Sequence, residues 1–196
     1  MKKLIYITTI IIFLLSCEQA AEEQKIIKTP EKEPEKKPEI TYPIVELVEC
    51  PDYIAQAALD YAILYSQAET EYSWGGQDHL RSIKIDCSGL VVNCYLYATN
   101  GTPYALPFYD AAVIHFFTQW SVPTLDPRPG DMIFTGINKD RPTHMCIYIR
   151  EDEENIYFID SNILPNENVN GVSERFYSKK DYSRFISFGR LLVTKR

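Results

Sequence analysis

The chain has few residues of the types that bind metals, and they are not arranged in a metal-binding motif. It contains three histidines and five cysteines in 196 residues. There is no C-x-x-C or H-E-x-x-H, and His144 and Cys146, which lie two apart, are too few ligands for a zinc site. The cysteine number also does not fit a disulfide scaffold. We therefore expect neither a metal nor an organic cofactor.

The chain also lacks an excess of basic residues. Its 20 Lys and Arg against 27 Asp and Glu give a formal net charge of −7. This charge argues against general nucleic-acid binding, which usually requires a clustered basic face. The length and the 45% content of hydrophobic residues predict one globular domain with a core. We expect this domain to be monomeric.

The one long apolar run lies at the N-terminus. Leu4–Leu15 follows the basic start Met1-Lys2-Lys3, and it is shorter than the ~20 residues of a spanning helix. These features are typical of an export signal. Leu14-Leu15-Ser16-Cys17 resembles the lipobox of bacterial lipoproteins, which implies that Cys17 is lipidated and that the protein is membrane-anchored in the cell envelope. An ordinary cleaved signal or a short membrane anchor is the alternative.

Residues 18–43 have a different composition, dominated by Glu, Lys and Pro. Such a segment cannot bury enough apolar surface to offset its ordering entropy. We predict a disordered tether here, a signal peptide over residues 1–17 and the globular domain over residues 44–196.

The domain changes its periodicity halfway along. The first half predicts helices over Asp52–Ser66, with Asp52 as a cap, over Cys87–Tyr97 and over Tyr109–Trp120. The second half predicts short strands over Asp131–Thr135, Met145–Arg150, Ile156–Ser161 and Phe185–Val193. The polar link Glu151–Asn155 joins the middle two strands as a hairpin. Helices followed by an antiparallel sheet indicate an α+β fold.

A cysteine lies at the start of a predicted helix, and a histidine lies at the start of a predicted strand. Cys87 lies where a loop becomes a helix, and free N–H groups there stabilise a thiolate and an oxyanion. His144 opens an apolar strand behind the Pro129-Gly130-Asp131 turn. Either residue alone is more often structural, because most buried cysteines are inert. Together they predict a nucleophile and its base.

A third polar residue ends the neighbouring predicted strand. If the hairpin pairs Tyr148 with Tyr157 or a nearby residue, Asp160 comes close to His144. A carboxylate at that place would orient the imidazole and stabilise the imidazolium. Asn162 is a competing orienter, and an aspartate that faces water at the end of a strand is the structural alternative.

These elements resemble the NlpC-type cell-wall peptidases, which are papain-like cysteine hydrolases. The resemblance covers roughly residues 52–193. The ordered motifs that carry it are Tyr72-Ser73-Trp74-Gly75-Gly76, Asp86-Cys87-Ser88-Gly89-Leu90-Val91, Leu106-Pro107, Pro129-Gly130-Asp131 and His144-Met145-Cys146-Ile147-Tyr148-Ile149.

The resemblance implies a papain-like fold and an endopeptidase that hydrolyses peptidoglycan stem peptides at the γ-D-glutamyl–diamino acid bond. It implies that Cys87 is the nucleophile and His144 the base. The residues that it implies for substrate binding are Glu71, Tyr72, Asp86 and Ser88, among which the acidic side chains and the serine would recognise a free N-terminal L-Ala. Trp74 is a further candidate for substrate contact by its position, with plain packing as the alternative.

The chain departs from the family pattern at two positions. Asp160 stands where a histidine is usual, and Cys146 stands where a glycine is usual. Two other functions remain open on the same fold: a non-catalytic cell-wall-binding lipoprotein, and a thiol amidase or acyltransferase. The pairing of Cys50 with Cys94 or Cys146, or with neither, also remains open.

Overall fold

A computed structural model describes residues 46–78 and 83–196 of the chain. The predicted signal peptide, the predicted lipidation site Cys17 and the predicted tether lie outside the described residues, and the statements about them stay predictions. Within the described ranges, no helix combines the length and the apolar character that crossing a bilayer requires.

Helices precede most of the sheet along the chain. The helices are α1 (Asp52–Gln67), α2 (Cys87–Thr99) and the short α3 (Val113–Thr118). The strands are β1 (Leu47–Glu49), β2 (Thr70–Tyr72), β3 (Gln77–Asp78), β4 (Ile83–Ile85), β5 (Tyr104–Ala105), β6 (Ser121–Thr124), β7 (Met132–Thr135), β8 (His144–Glu151), β9 (Asn155–Leu164), β10 (Val169–Ser178) and β11 (Phe185–Lys195), with a 3₁₀ turn at Pro165–Glu167.

The main sheet is antiparallel, in the order β1-β11-β7-β8-β9-β10, and β5 and β6 also pair with β11. In the central hairpin, Ile147 pairs with Ile159 and Tyr148 with Phe158. The interior strand segments are nearly continuous runs of buried residues, because helices cover one face and an aromatic cluster covers part of the other.

Helices α1 and α2 form the core with this sheet. In α1 the buried residues recur at helical spacing and form one apolar face, for example Ile54, Ala58 and Ala62. Helix α2 is buried on most of its surface because it lies between α1 and the sheet, and Leu90 and Cys94 are fully buried. A helix that is apolar all round is expected to be enclosed in this way.

A second, three-stranded sheet has the order β2-β4-β3. It is joined to the edge of the main sheet through side chains. The backbone N–H of Val172 on β10 donates to Thr70 Oγ1 at 2.8 Å, and the N–H of Tyr72 donates to Asn170 Oδ1 at 3.1 Å. These bonds fix the strand that carries Tyr72 against the sheet that carries the predicted base.

The predicted α+β class and the predicted elements are largely confirmed. Two local predictions are wrong. Asp52 does not cap α1, because Pro51 occupies the cap position and the Asp52 carboxylate pairs with Arg128 instead. The third helix spans only Val113–Thr118, because the preceding Ala112 has an extended backbone and Asp110 accepts a hydrogen bond from Gln77. The strand β10 was not predicted, since its sequence is mostly polar and contains a glycine.

Gly130 connects the helical layer to the sheet. Its φ of +94° lies in the left-handed region, and a Cβ at this position would fall 2.1 Å from the carbonyl oxygen of Ala55 on α1. Its N–H donates to the Tyr148 carbonyl at 2.9 Å, and its own carbonyl accepts from the Tyr95 hydroxyl at 2.7 Å. A side chain here would therefore overlap the backbone of α1 while the Gly130 backbone is held by bonds to β8 and α2.

We predict that Gly130→Ala lowers the free energy of unfolding by more than about 3 kcal/mol, because backbone strain and overlap with Ala55 add. Gly101→Ala is the matched control: Gly101 has a φ of +73° but no atom within 4 Å of the added Cβ. It should cost only about 1–2 kcal/mol. Urea unfolding measures both variants, and equal losses would contradict the close approach at Gly130.

Candidate active site

Cys87 is the first residue of α2, and Asp86 caps this helix. Asp86 Oδ1 accepts hydrogen bonds from the Gly89 N–H at 2.7 Å and the Ser88 hydroxyl at 3.0 Å. Its Oδ2 accepts from the Gly75 N–H at 2.8 Å. The carboxylate therefore ties the loop before β3 to the first helical turn and fixes the backbone around the Cys87 thiol.

The loop can approach the helix this closely because Gly89 has no side chain. A Cβ there would lie 2.5 Å from the carbonyl oxygen of Gly76. Cys87 itself is only 7% exposed, so little of the residue is accessible to solvent. The positive end of the helix dipole at this place favours an anionic sulfur.

His144 is the first residue of β8, and the fold brings its imidazole to Cys87. The imidazole Nε2 lies 2.6 Å from Asp160 Oδ2. Cys146 and Cys87 also lie close enough to the ring to raise its pKa through hydrogen bonding. Because Nε2 is engaged by the carboxylate, Nδ1 is the nitrogen left to exchange a proton with a thiol. The predicted thiol, imidazole and carboxylate thus form one connected set.

The carboxylate of Asp160 is fully buried. It accepts two hydrogen bonds from Arg175, from Nε to Oδ1 at 3.0 Å and from Nη2 to Oδ2 at 2.5 Å. Asn162, the competing orienter, donates to Asp160 Oδ2 at 3.3 Å, and so acts on the carboxylate rather than on the ring. Burial raises the pKa of Asp160, but the hydrogen bond and charge of His144, with those of Arg175, outweigh burial and lower it.

The same contacts set the protonation of the imidazole. Burial lowers the pKa of His144, but the hydrogen bond to Asp160, followed by those to Cys146 and Cys87, holds this pKa well above its ordinary value. The imidazolium is therefore the favoured form near neutral pH, which is the form that accompanies a thiolate in a cysteine–histidine pair.

Cys146 lies beside His144 as a buried thiol. Burial, helped by the charge of Asp160, raises the pKa of Cys146 to about 11 despite its hydrogen bond to His144. Ligand atoms of His144, Cys146 and Asp160 lie within 4.8 Å of one another. The imidazole Nε2 and both oxygens of Asp160 are already occupied by internal partners, so this cluster fits a charge network better than a metal site.

The disulfide state of the described cysteines is settled by the same structure. Cys50, Cys87, Cys94 and Cys146 are all free thiols.

Cys87 opens into a cleft of about 410 Å³. The cleft is lined by Tyr72, Trp74, Gly75, Gln77, Asp86, Cys87, Ser88, Asp110, Ala111, Ala112, Val113, Ile114, Arg141, Pro142 and Thr143. Four of the five predicted substrate-binding residues are therefore at the cleft. The fifth, Glu71, is not among the lining residues, and its carboxylate lies 3.4 Å from the Lys84 ammonium.

The aromatic side chains differ in exposure. Trp74 is 88% exposed, which favours substrate contact over packing. Tyr72 is half-buried, and burial, with the charges of Cys87 and Asp86, raises the pKa of its hydroxyl. The neutral phenol therefore keeps its proton and can donate it in a hydrogen bond beside the thiol.

Sequence reasoning missed four polar residues of the site. Gln77 Nε2 donates to Asp110 Oδ1 at 2.5 Å, which joins two of the segments that line the cleft. Among the lining residues that the structure describes, Arg141 is the one with a cationic side chain. Arg175 supports Asp160 from a strand that was not predicted. No local motif marks these residues, and the sequence of β10 does not alternate between apolar and polar residues.

Comparison with known proteins agrees with these motifs. The model of the NlpC/P60 family matches residues 69–185, a range that includes the cysteine, histidine, aspartate and arginine described above. Among solved structures, the crystal structure of Ly7917 is similar at 11% sequence identity over 70% of this chain, with a TM-score of 0.48. The chain spans 62% of the length of that structure. None of the curated proteins matches the chain.

We predict that Asp160→Asn lowers the pKa of His144, because the hydrogen bond to a charged carboxylate is lost while burial remains. Asn162→Ala is the control and should change this pKa less, since Asn162 contacts the carboxylate and not the ring. NMR titration of the imidazole, assigned with His144→Gln, measures both. A larger change in Asn162→Ala would contradict Asp160 as the orienter.

The raised pKa of His144 also predicts a pH dependence of stability. The group contributes stability fully below its unfolded pKa of about 6.5, and this contribution disappears as the pH rises through the higher folded pKa. The difference in unfolding free energy between wild type and Asp160→Asn should therefore narrow as the pH rises above 7. Urea unfolding across this range measures the difference, and a gap that widens would contradict the assignment.

Proposed function

Because the chain belongs to the NlpC/P60 family, we propose that it is a cysteine endopeptidase that hydrolyses peptidoglycan stem peptides at the γ-D-glutamyl–diamino acid bond. In this proposal Cys87 is the nucleophile, His144 is the base and Asp160 orients the imidazole. The observation that carries it is the His144 imidazole, which is anchored on Asp160 and lies close enough to Cys87 for this cleft-lining thiol to raise its pKa.

The reaction proceeds by acyl transfer. The Cys87 thiolate attacks the scissile carbonyl carbon, and backbone N–H groups at the start of α2 stabilise the resulting oxyanion. The His144 imidazolium then donates its proton to the leaving amine, and the C–N bond breaks to give a thioester. The neutral imidazole next accepts a proton from water, whose oxygen attacks the thioester. The C–S bond breaks to release the carboxylic acid and the thiolate, and the thiolate–imidazolium pair is restored.

The charge pattern of the cleft supports a peptide substrate with groups of both signs. Asp86 and Asp110 line it together with the cationic Arg141. A stem peptide offers an ammonium group and carboxylates, so opposite charges can meet along the cleft. Because Asp86 already accepts three hydrogen bonds, it contributes to ammonium binding mainly as a fixed negative charge. Tyr72, Trp74 and Ser88 supply the uncharged contacts.

The function is tested with defined muropeptides and the full chain, as wild type, Cys87→Ala and Cys94→Ala. Cys87→Ala should lose at least about a thousandfold in kcat, as expected when a nucleophile is removed. Cys94→Ala is the matched control, because Cys94 is buried in the same helix but is not among the cleft-lining residues, so it should retain activity. Mass spectrometry identifies the products.

The other outcomes separate the alternatives. Equal cleavage by wild type and Cys87→Ala would refute the nucleophile. Binding of muropeptides without cleavage by any variant would indicate a cell-wall-binding protein. A transferred acyl group, in place of two peptide fragments, would indicate an acyltransferase.

The N-terminal sequence motivates a separate proposal on localisation. We propose that Cys17 carries a lipid that anchors the protein to a membrane of the cell envelope, with residues 18–43 as a tether that lets the domain reach the cell wall. Cys17→Ser should lose incorporation of a radiolabelled fatty acid and shift from the membrane to the soluble fraction. Cys50→Ser is the control, and unchanged labelling of Cys17→Ser would contradict the lipid site.

A further inference from the structure

Arg175 lies directly behind the carboxylate that contacts the imidazole. It is on β10, where Ser173 pairs with Asp160, and a residue two positions further along lies on the same face of the sheet. Its bidentate contact uses Nε and Nη2 on the two oxygens of Asp160. Such a geometry fixes both the position and the orientation of a carboxylate.

The guanidinium is itself held in place. Its side chain is only 13% exposed, and its Cζ lies 5.2 Å from the centre of the Phe158 ring. Its Nη1 lies 3.6 Å from Glu167 Oε2 at the surface. The charges therefore alternate in sign from the cleft outward, through His144, Asp160 and Arg175 to Glu167.

In the proposed reaction, the Asp160 carboxylate stays beside the His144 imidazole in both its protonated and its neutral state. While His144 is protonated, Asp160 has a cationic partner. After His144 gives its proton to the leaving amine, a buried aspartate without another partner would be an uncompensated charge, which is strongly unfavourable. Arg175 supplies the second cation, and its positive charge also weakens the hold of Asp160 on the imidazolium proton.

We propose that Arg175 is a positioning residue for the peptidase reaction, which holds the Asp160 carboxylate ionised and in place while His144 gains and loses its proton. This inference rests on the proposed function. It also explains how Asp160 can replace the usual histidine as the residue that orients the imidazole. The aspartate adds a negative charge that a neutral histidine would not add, and Arg175 offsets this charge.

The other ionisable groups around the pair come from several elements. They are Cys87 on α2, Tyr72 on β2, Cys146 on β8 and Tyr177 on β10, with Glu167 in the 3₁₀ turn beyond Arg175. Burial raises the pKa of both tyrosines and of Cys146, so these three groups stay neutral near pH 7. Arg175 is therefore the cation that compensates Asp160 when His144 is neutral.

The test is the NMR titration of His144 in the full chain carrying Cys87→Ala, with and without Arg175→Met. Removing the guanidinium should move the titration midpoint of His144 upward by about one pH unit or more, since a charge at this range has effects of that size. Arg175→Lys keeps the charge and should shift the midpoint by less than half as much. No shift, or a downward shift, in Arg175→Met would overturn the proposal.

Arg150→Met is the matched control. Arg150 lies on the same sheet, and its Cζ is 3.7 Å from the centre of the Tyr157 ring, but it pairs with Asp152 away from the cleft. It should leave the midpoint unchanged. If Arg150→Met shifted the His144 midpoint as much as Arg175→Met does, the effect would come from the loss of any positive charge, and the proposal would be overturned.

Kinetics in the active enzyme provide a second readout. Arg175→Met should shift the alkaline limb of the pH profile of kcat/KM to higher pH, together with the titration midpoint of His144. It should also lower kcat at pH 7 by roughly three- to tenfold, because a more tightly held proton is donated less readily. KM should change little. Because the titration needs no substrate, its result stands even if muropeptides prove not to be cleaved, so the two proposals fail separately.

If Arg175→Met fails to fold, the test can still be made by removing the charges of Asp160 and Arg175 together. Asp160→Asn with Arg175→Met removes both members of the buried ion pair, and its His144 midpoint is compared with that of Asp160→Asn alone. The double variant should titrate at a higher pH, since the repulsion by Arg175 is gone. Identical midpoints would contradict the electrostatic role.

Discussion

The buried carboxylate of Asp160 is the constraint on which the site depends. A fully buried anion must be compensated by partners of fixed geometry, and this one is compensated by His144 on one side and Arg175 on the other. Because these partners come from β8 and β10, which flank β9, the register of three strands is tied to one charge network. The imidazole is consequently held at the start of β8, an interior strand of the sheet, where Cys87 lies close to it.

The nucleophile is positioned by a second carboxylate with a different task. Asp86 caps α2 and binds the loop that precedes β3, so the thiol sits between a helix start and a fixed loop. The absence of a side chain at Gly89 permits this close approach. The two carboxylates thus act on opposite halves of the site: Asp86 organises the backbone around sulfur, and Asp160 sets the state of the imidazole.

Much of this arrangement could be predicted from local sequence. Helical spacing located α1 and α2, apolar runs located β7, β8, β9 and β11, and the hairpin link placed Asp160 near His144. Predictions failed where a long-range contact overrode local preference. Ala112 before α3 has an extended backbone and Asp110 accepts a hydrogen bond from Gln77, and Asp52 pairs with Arg128 instead of capping a helix. Strand β10 is polar because it lies at the edge of the sheet, which weakens its pattern.

The sequence by itself determined the family, the helix that begins at Cys87, the strand that begins at His144 and the candidate carboxylate, because each depends on short-range periodicity or an ordered motif. Only the tertiary structure decided what compensates that carboxylate, that Glu71 pairs with Lys84, and that Gln77, Asp110 and Arg141 line the cleft with the predicted residues. The physical reason is that ion pairs and side-chain hydrogen bonds join residues far apart in the chain, and no local pattern specifies which partners the packing brings together.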